Sequence, residues 1–174
     1  MIKKLLSIGT IFILAIGICC YLFIAHHGFN ARDKPLAIEA FIARHVRHLG
    51  VPGDVTSLKN PLQMSPLAIA EARDHFADHC AVCHANSGDG HTMINDGLYP
   101  PAPDLRANDT QSLSDGELFY IIKNGIRFTG MPGWGGTDDE NWKLVGFIRH
   151  LPSLSDKEKQ FMEEVNNIKP GTNN

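Results

Sequence analysis

Cys80-Ala81-Val82-Cys83-His84 is the stretch on which the reading of this 174-residue chain turns. Two thiols three residues apart on a helical turn can each add to one vinyl group of the same haem, forming two thioethers. The adjacent imidazole then faces the iron and supplies an axial ligand. A redox dithiol does not need the histidine, and it belongs in a strand-rich βαβ setting. A zinc site needs two further ligands, usually cysteines, and the only others, Cys19 and Cys20, lie in an uncharged run near the N-terminus. The motif occurs once, so the expectation is one covalent haem c with its iron, attached at Cys80 and Cys83 and ligated by His84.

Working outward, Ser65 caps a helix with Pro66 in its first position, running to about Cys80. A second helix is expected from Asp115 to Lys123, after Ser114 and before Gly125. A third starts near Thr137 or Asp138, runs through Leu151 and is stopped by Pro152. Ser155 caps a fourth, polar helix to about Val165, and Asn166–Asn174 reads as a mobile tail. No strand-like alternation appears between Ser65 and Leu151, so the fold class is all-α.

The iron's sixth ligand must come from elsewhere in the chain. Met64, Met93, Met131, Met162, His75, His91 and His150 are the candidates. His75 and His79 share the helix of the attachment site and cannot easily reach the opposite haem face. Met93 follows His84 by only nine residues. Met131 lies in the glycine-rich loop Gly125-Ile-Arg-Phe-Thr-Gly-Met131-Pro-Gly-Trp134, on no apolar stripe. Its glycines allow close approach of backbone to a porphyrin, and Pro132 stiffens the chain behind the sulfur.

These residues resemble the class I cytochrome c family, in particular membrane-anchored monohaem c-type cytochromes of bacteria. The resemblance runs from about Ser65 to Pro152. It rests on Phe76-x-x-x-Cys80-Ala-Val-Cys83-His84, Pro103-Asp104-Leu105, Lys123-Asn-Gly-Ile-Arg-Phe-Thr-Gly-Met131-Pro, and Trp142-Lys-Leu-Val-Gly-Phe-Ile-Arg-His-Leu151. It implies a first and last helix that cross with Phe76 and Phe147 at the contact, Ala72 standing where the family usually has glycine. It also implies Met131 as the distal ligand and a proline carbonyl, best matched by Pro103, accepting the second N–H of His84. Arg127, Tyr99 and Trp134 match candidates for the haem propionates as well as they match ordinary surface or core residues.

Ahead of that domain, Lys3 and Lys4 precede an uncharged run from Leu5 to Ala25, 21 residues. As a helix it covers ~30 Å, the thickness of a bilayer's hydrocarbon. Phe23-Ile24-Ala25 lacks the small residues of a cleavage site, so the run reads as an uncleaved signal-anchor with the remainder exported. Cys19 and Cys20 lack the small preceding residue of a lipoprotein site. After a hinge at His26–Lys34, Pro35–Leu49 reads as an amphipathic helix with Ile38, Phe41, Ile42, His45, Val46 and Leu49 on one stripe and Arg44, Arg47 and His48 opposite. Packing of that stripe against the following domain is expected ahead of contact with the membrane surface, with His45 a buried structural histidine. Val51–Met64 reads as a linker.

The expected organisation is thus 1–28 anchor, 29–64 amphipathic helix and linker, 65–152 haem domain, and 153–174 polar helix and tail. Residues 1–64 carry seven Lys/Arg against three acids, and residues 65–174 nine against sixteen, an acidic unit suited to steering a basic partner. No basic cluster of the density nucleic acid requires is present. With both axial positions filled and no catalytic cluster, the expectation is an electron carrier and not an enzyme. It would serve a donor and an acceptor redox protein of a respiratory chain, at the outer, periplasmic face of a bacterial inner membrane. It could also be the haem subunit of a larger complex. A haem-based gas sensor or haem enzyme with a labile distal ligand is the alternative.

Overall fold

The computed structural model describes residues 2–166, and among them every regular element is helical. The chain falls into two units, residues 1–33 and 34–174. The tail expected to be mobile lies outside the described residues from position 167 onward. Asn166 does not belong to it: its Nδ2 donates to the Ala77 carbonyl at 2.9 Å and to Asn86 Oδ1 at 2.7 Å.

The first unit is helix α1, Ile2–His27. Its stretch Leu6–His27 is long and apolar enough to cross a membrane. The polar side chains in the first part of the run return to their own helix: Ser7 Oγ donates to Lys3 O and Thr10 Oγ1 to Leu6 O, both at 2.9 Å. A helix that satisfies its own polar groups can face hydrocarbon without an orphaned donor.

Among the described residues the second unit holds eight α-helices, beginning with α2, Ala37–Leu49, and α3, Gly53–Thr56. Next comes a continuous helical rod: α4, Pro66–His75, a π turn over Phe76–Cys80, and α5, Ala81–His84. Ser65 caps it by accepting from the Ala68 N–H. Then follow α6, Asn108–Gln111, α7, Asp115–Asn124, α8, Asp138–His150, and α9, Asp156–Asn166. Both α7 and α8 open with complete capping boxes, Ser114/Glu117 and Thr137/Glu140, which satisfy two end N–H groups each.

The rod crosses α8 in the core. Phe76 and Phe147 meet there with ring centroids 5.2 Å apart and planes at 56°, both essentially inaccessible to solvent. Phe119 of α7 stacks on Trp142 of α8 at 4.3 Å. Arg149 knots α8 to the start of α7: its Nε and Nη2 donate to Asp115 Oδ1 at 3.0 and 2.9 Å, and its Nη1 to the Gln111 carbonyl at 2.8 Å. The expected linker is a packed strap. Asn60 Nδ2 donates to the Trp142 carbonyl at 2.8 Å, and Met64 fills the space over Gly146. Helix α9, expected as a polar helix, contributes the fully buried Met162 to the core, and the Arg73 guanidinium lies 3.9 Å over its Phe161 ring.

Helix α2 departs from expectation. Its polar face, not its apolar stripe, packs on the domain. Arg44 Nη1 reaches Asp109 Oδ2 at 3.4 Å, His48 Nδ1 lies 2.6 Å from Glu117 Oε1, and Ala40 and Arg47 are half-buried between them. The stripe faces outward, and His45 is exposed, not buried, its Nδ1 bonded to the Phe41 carbonyl at 2.8 Å. The cationic face thus lies against the acids Asp109 and Glu117. Periodicity shows that a helix has two faces but not which one its neighbour takes.

Candidate functional site

The helical rod delivers the motif at its C-terminal end. Phe76 is fixed in the core, the π turn adds one residue to the local register, and Cys80, Cys83 and His84 follow. Both thiols are free and half-buried. Burial, with the neighbouring Cys83 second, pushes the Cys80 thiol up to about 12; burial also pushes the Cys83 thiol up. Among the described residues no three His, Cys, Asp or Glu side chains gather to hold a bare metal ion.

His84 is buried, and its Nδ1 lies 3.3 Å from the Pro103 carbonyl oxygen. Burial drives the imidazole toward its neutral form, with the Pro103 carbonyl acting against it. As the donor to that carbonyl, Nδ1 carries the ring proton, which leaves Nε2 as the lone-pair nitrogen. No other described residue bonds it. A neutral imidazole held by its rear N–H is the form that binds a metal.

The segment that returns the chain to Pro103 is held by Asn95, a buried residue for which the sequence reading had no role. Asn95 Nδ2 donates to the Gly90 and Ala102 carbonyls, and its Oδ1 accepts from the Ala102 N–H. Gly90, at φ +78°, has no room for a Cβ: one would lie 2.9 Å from the Ala102 carbonyl. Its N–H donates to the His84 carbonyl at 2.9 Å. The only sequence signal for this cradle was the pair Gly88 and Gly90 close behind His84.

Met131 is half-buried on the loop between α7 and α8. The Ile126 N–H donates to the Met131 carbonyl at 3.1 Å, and the Met131 N–H to Thr129 Oγ1 at 3.1 Å. Gly125 and Gly133 bring the two arms of the loop together; a Cβ on Gly125 would lie 2.5 Å from the Gly133 nitrogen. Two contacts tie this loop to the motif. Gly130 lies against the Leu98 side chain, in the segment whose Thr92 hydroxyl bonds the Cys83 carbonyl at 3.4 Å. Trp134 meets His79 edge to face, centroids 5.4 Å apart.

The other methionines are placed differently. Met162 and Met64 are occupied in packing, and Met93 is 89% exposed. His150 Nε2 is engaged by Glu158 Oε1 at 2.9 Å, and His75 faces His79 on the rod. Of the suggested supporting residues, Pro103 is beside His84 and Trp134 beside His79. Tyr99 is half-buried, and Arg127 is exposed with no ion pair among the described residues. Val82, Ile94 and Phe128 leave apolar surface open on the motif turn, the 92–98 segment and the Met131 loop. The two thiols and the oriented imidazole of the motif fit the attachment and one axial position of a haem, with apolar surface exposed near them.

Residues 67–148 match the family model described as cytochrome c oxidase, cbb3-type, subunit III. No curated protein matches the chain.

Proposed function

We propose that this protein is a c-type cytochrome, as the match of residues 67–148 to an oxidase-subunit family model supports, and that it carries single electrons through one haem c held by Cys80 and Cys83, with His84 and Met131 as axial ligands. The family match supports haem-based electron transfer, and the contacts of the Met131 loop support the ligand set. The carrying observation is that the Met131 loop is tied to the motif on both sides of the methionine, by Gly130 on Leu98 and Trp134 on His79.

Haem iron supplies the one-electron couple. The chain's own residues do the rest. The Pro103 carbonyl holds the His84 proton at Nδ1 and so presents Nε2. Asn95 fixes the backbone that carries Pro103. Gly125 and Gly133 hold the loop closed behind Met131, which favours a bond that stays made over an open position. Methionine opposite histidine raises the potential relative to two histidines. The single motif in the chain supports one haem.

The apolar α1 supports a placement at the outer face of a bacterial inner membrane, with α1 as an uncleaved anchor. The family model's description names an oxidase subunit, which supports work as the haem subunit of a respiratory complex, between a donor and an acceptor protein.

The test is a spectrum with and without carbon monoxide. The expected result is one haem per chain, resistant to acid–acetone extraction, low-spin and unchanged by carbon monoxide. A reduced protein that binds carbon monoxide readily would overturn the Met131 assignment and favour a labile site.

A further inference from the structure

We propose that the outward stripe of α2 lies in the interface of the lipid bilayer that α1 enters, so that one face of the haem domain is held toward the membrane. The inference rests on the reading of α1 as a membrane span.

Ile38, Phe41, Ile42, Val46 and Leu49 are each more than half exposed, along a 13-residue helix about 20 Å long. Single exposed apolar residues are ordinary; five on one stripe are a surface that water should not keep. The stripe cannot turn inward, because the opposite face is already engaged through Arg44 on Asp109 and His48 on Glu117. The helix is too short to span a bilayer but suited to lying in its plane.

The covalent chain names the occupant. Residues 28–36 are the whole connection between α1 and α2, and nine residues fully extended reach at most about 30 Å. Wherever α1 is embedded, α2 stays within that reach of the span's end. The tether carries exposed apolar residues of its own: Phe29 is 91% exposed and Leu36 is exposed as well. It also carries Arg32 and Lys34, suited to anionic headgroups, whereas the arginines of α2 point to the domain. A bilayer surface is therefore the partner always at hand, and its chemistry matches.

The experiment uses the full-length, haem-loaded protein in vesicles of phosphatidylcholine and phosphatidylglycerol, with Cys19 and Cys20 replaced by alanine. A small fluorophore is placed singly at Ile38→Cys, Ile42→Cys or Val46→Cys. Leu14→Cys serves as the reference inside the span, and Asp156→Cys, with its side chain 99% exposed, as the reference in water. Each variant is first required to keep the wild-type haem spectrum. The expected result is quenching by spin-labelled lipid at positions 38, 42 and 46, with iodide quenching there severalfold weaker than at 156. Iodide quenching equal to that at 156, while position 14 reads lipid, overturns this inference alone and leaves the stripe to a protein partner. Iodide access at position 14 overturns the span and this inference together, while the intact haem spectrum leaves the electron-transfer reading standing.

Discussion

The Trp134 indole stands edge-on to the His79 imidazole, at 82° and 5.4 Å between centroids. Two residues that straddle the candidate site, one before the cysteines and one after the methionine, are thus in direct contact. The rod and the Met131 loop behave as one piece at that point. Trp134→Ala removes a pair worth about 0.5–1.5 kcal/mol and should loosen Met131 without unfolding the protein. The measurement is partial carbon monoxide binding by the reduced form, with His79→Phe expected to remain near wild type.

Met131→Ala should give a high-spin or misligated haem and a midpoint potential lower by at least about 60 mV, a tenfold change in a one-electron equilibrium. Met93→Ala, at an exposed position, should leave both spectrum and potential in place. Equal behaviour of the two variants would remove Met131 from the iron.

Covalent attachment is read most directly from the thiols. Cys80→Ser with Cys83→Ser should release all haem into acid acetone, and either single change should leave one thioether and a shifted absorption band. Full retention of haem in the double variant would show attachment elsewhere.

The rod crossing is closed to solvent on both rings. Phe147→Ala, at a fully buried ring, should cost about 3–5 kcal/mol. Thermal melting followed by far-UV circular dichroism checks this, and a change of under about 1 kcal/mol would mean the Phe76–Phe147 contact is not central.

Acid should act through Glu117. Burial pushes its carboxyl up, but the Ser114 N–H and His48 outweigh that and hold it below the ordinary carboxylate value. Such a group stabilises the fold fully above its unfolded value of about 4.3. It gives that stability up as pH falls through the lower folded value. Glu117→Gln should therefore melt lower at neutral pH and lose less than wild type on titration to about pH 3, below the unfolded value.

The helix starts were legible because capping is local chemistry: Ser65, Ser114, Thr137 and Ser155 each read correctly from a few neighbouring residues. The motif and the glycine-rich loop were legible for the same reason. The outward turn of α2 was not, since the face it turns inward meets Asp109 and Glu117, 65 and 69 residues away. Met162, a lone methionine among charged residues of α9, gave no periodic signal, and its burial comes from the rod it meets. Asn95 is an ordinary loop asparagine until its partners Gly90 and Ala102 are brought around it.

The π turn at Phe76–Cys80 has a consequence for how this chain can change. It inserts one residue between the part of the rod that packs and the part that binds. The packing seam passes through Ala72 and Phe76 and resumes at Ala81, leaving Cys80 and Cys83 only half-buried. If the same residues took α-helical pitch, everything beyond the turn would swing by roughly 100° about the axis. Every cysteine, the histidine and every core side chain would still be present, yet the thiols would no longer share a face with the Met131 loop. The site therefore depends on the pitch of one turn as much as on the residues that compose it.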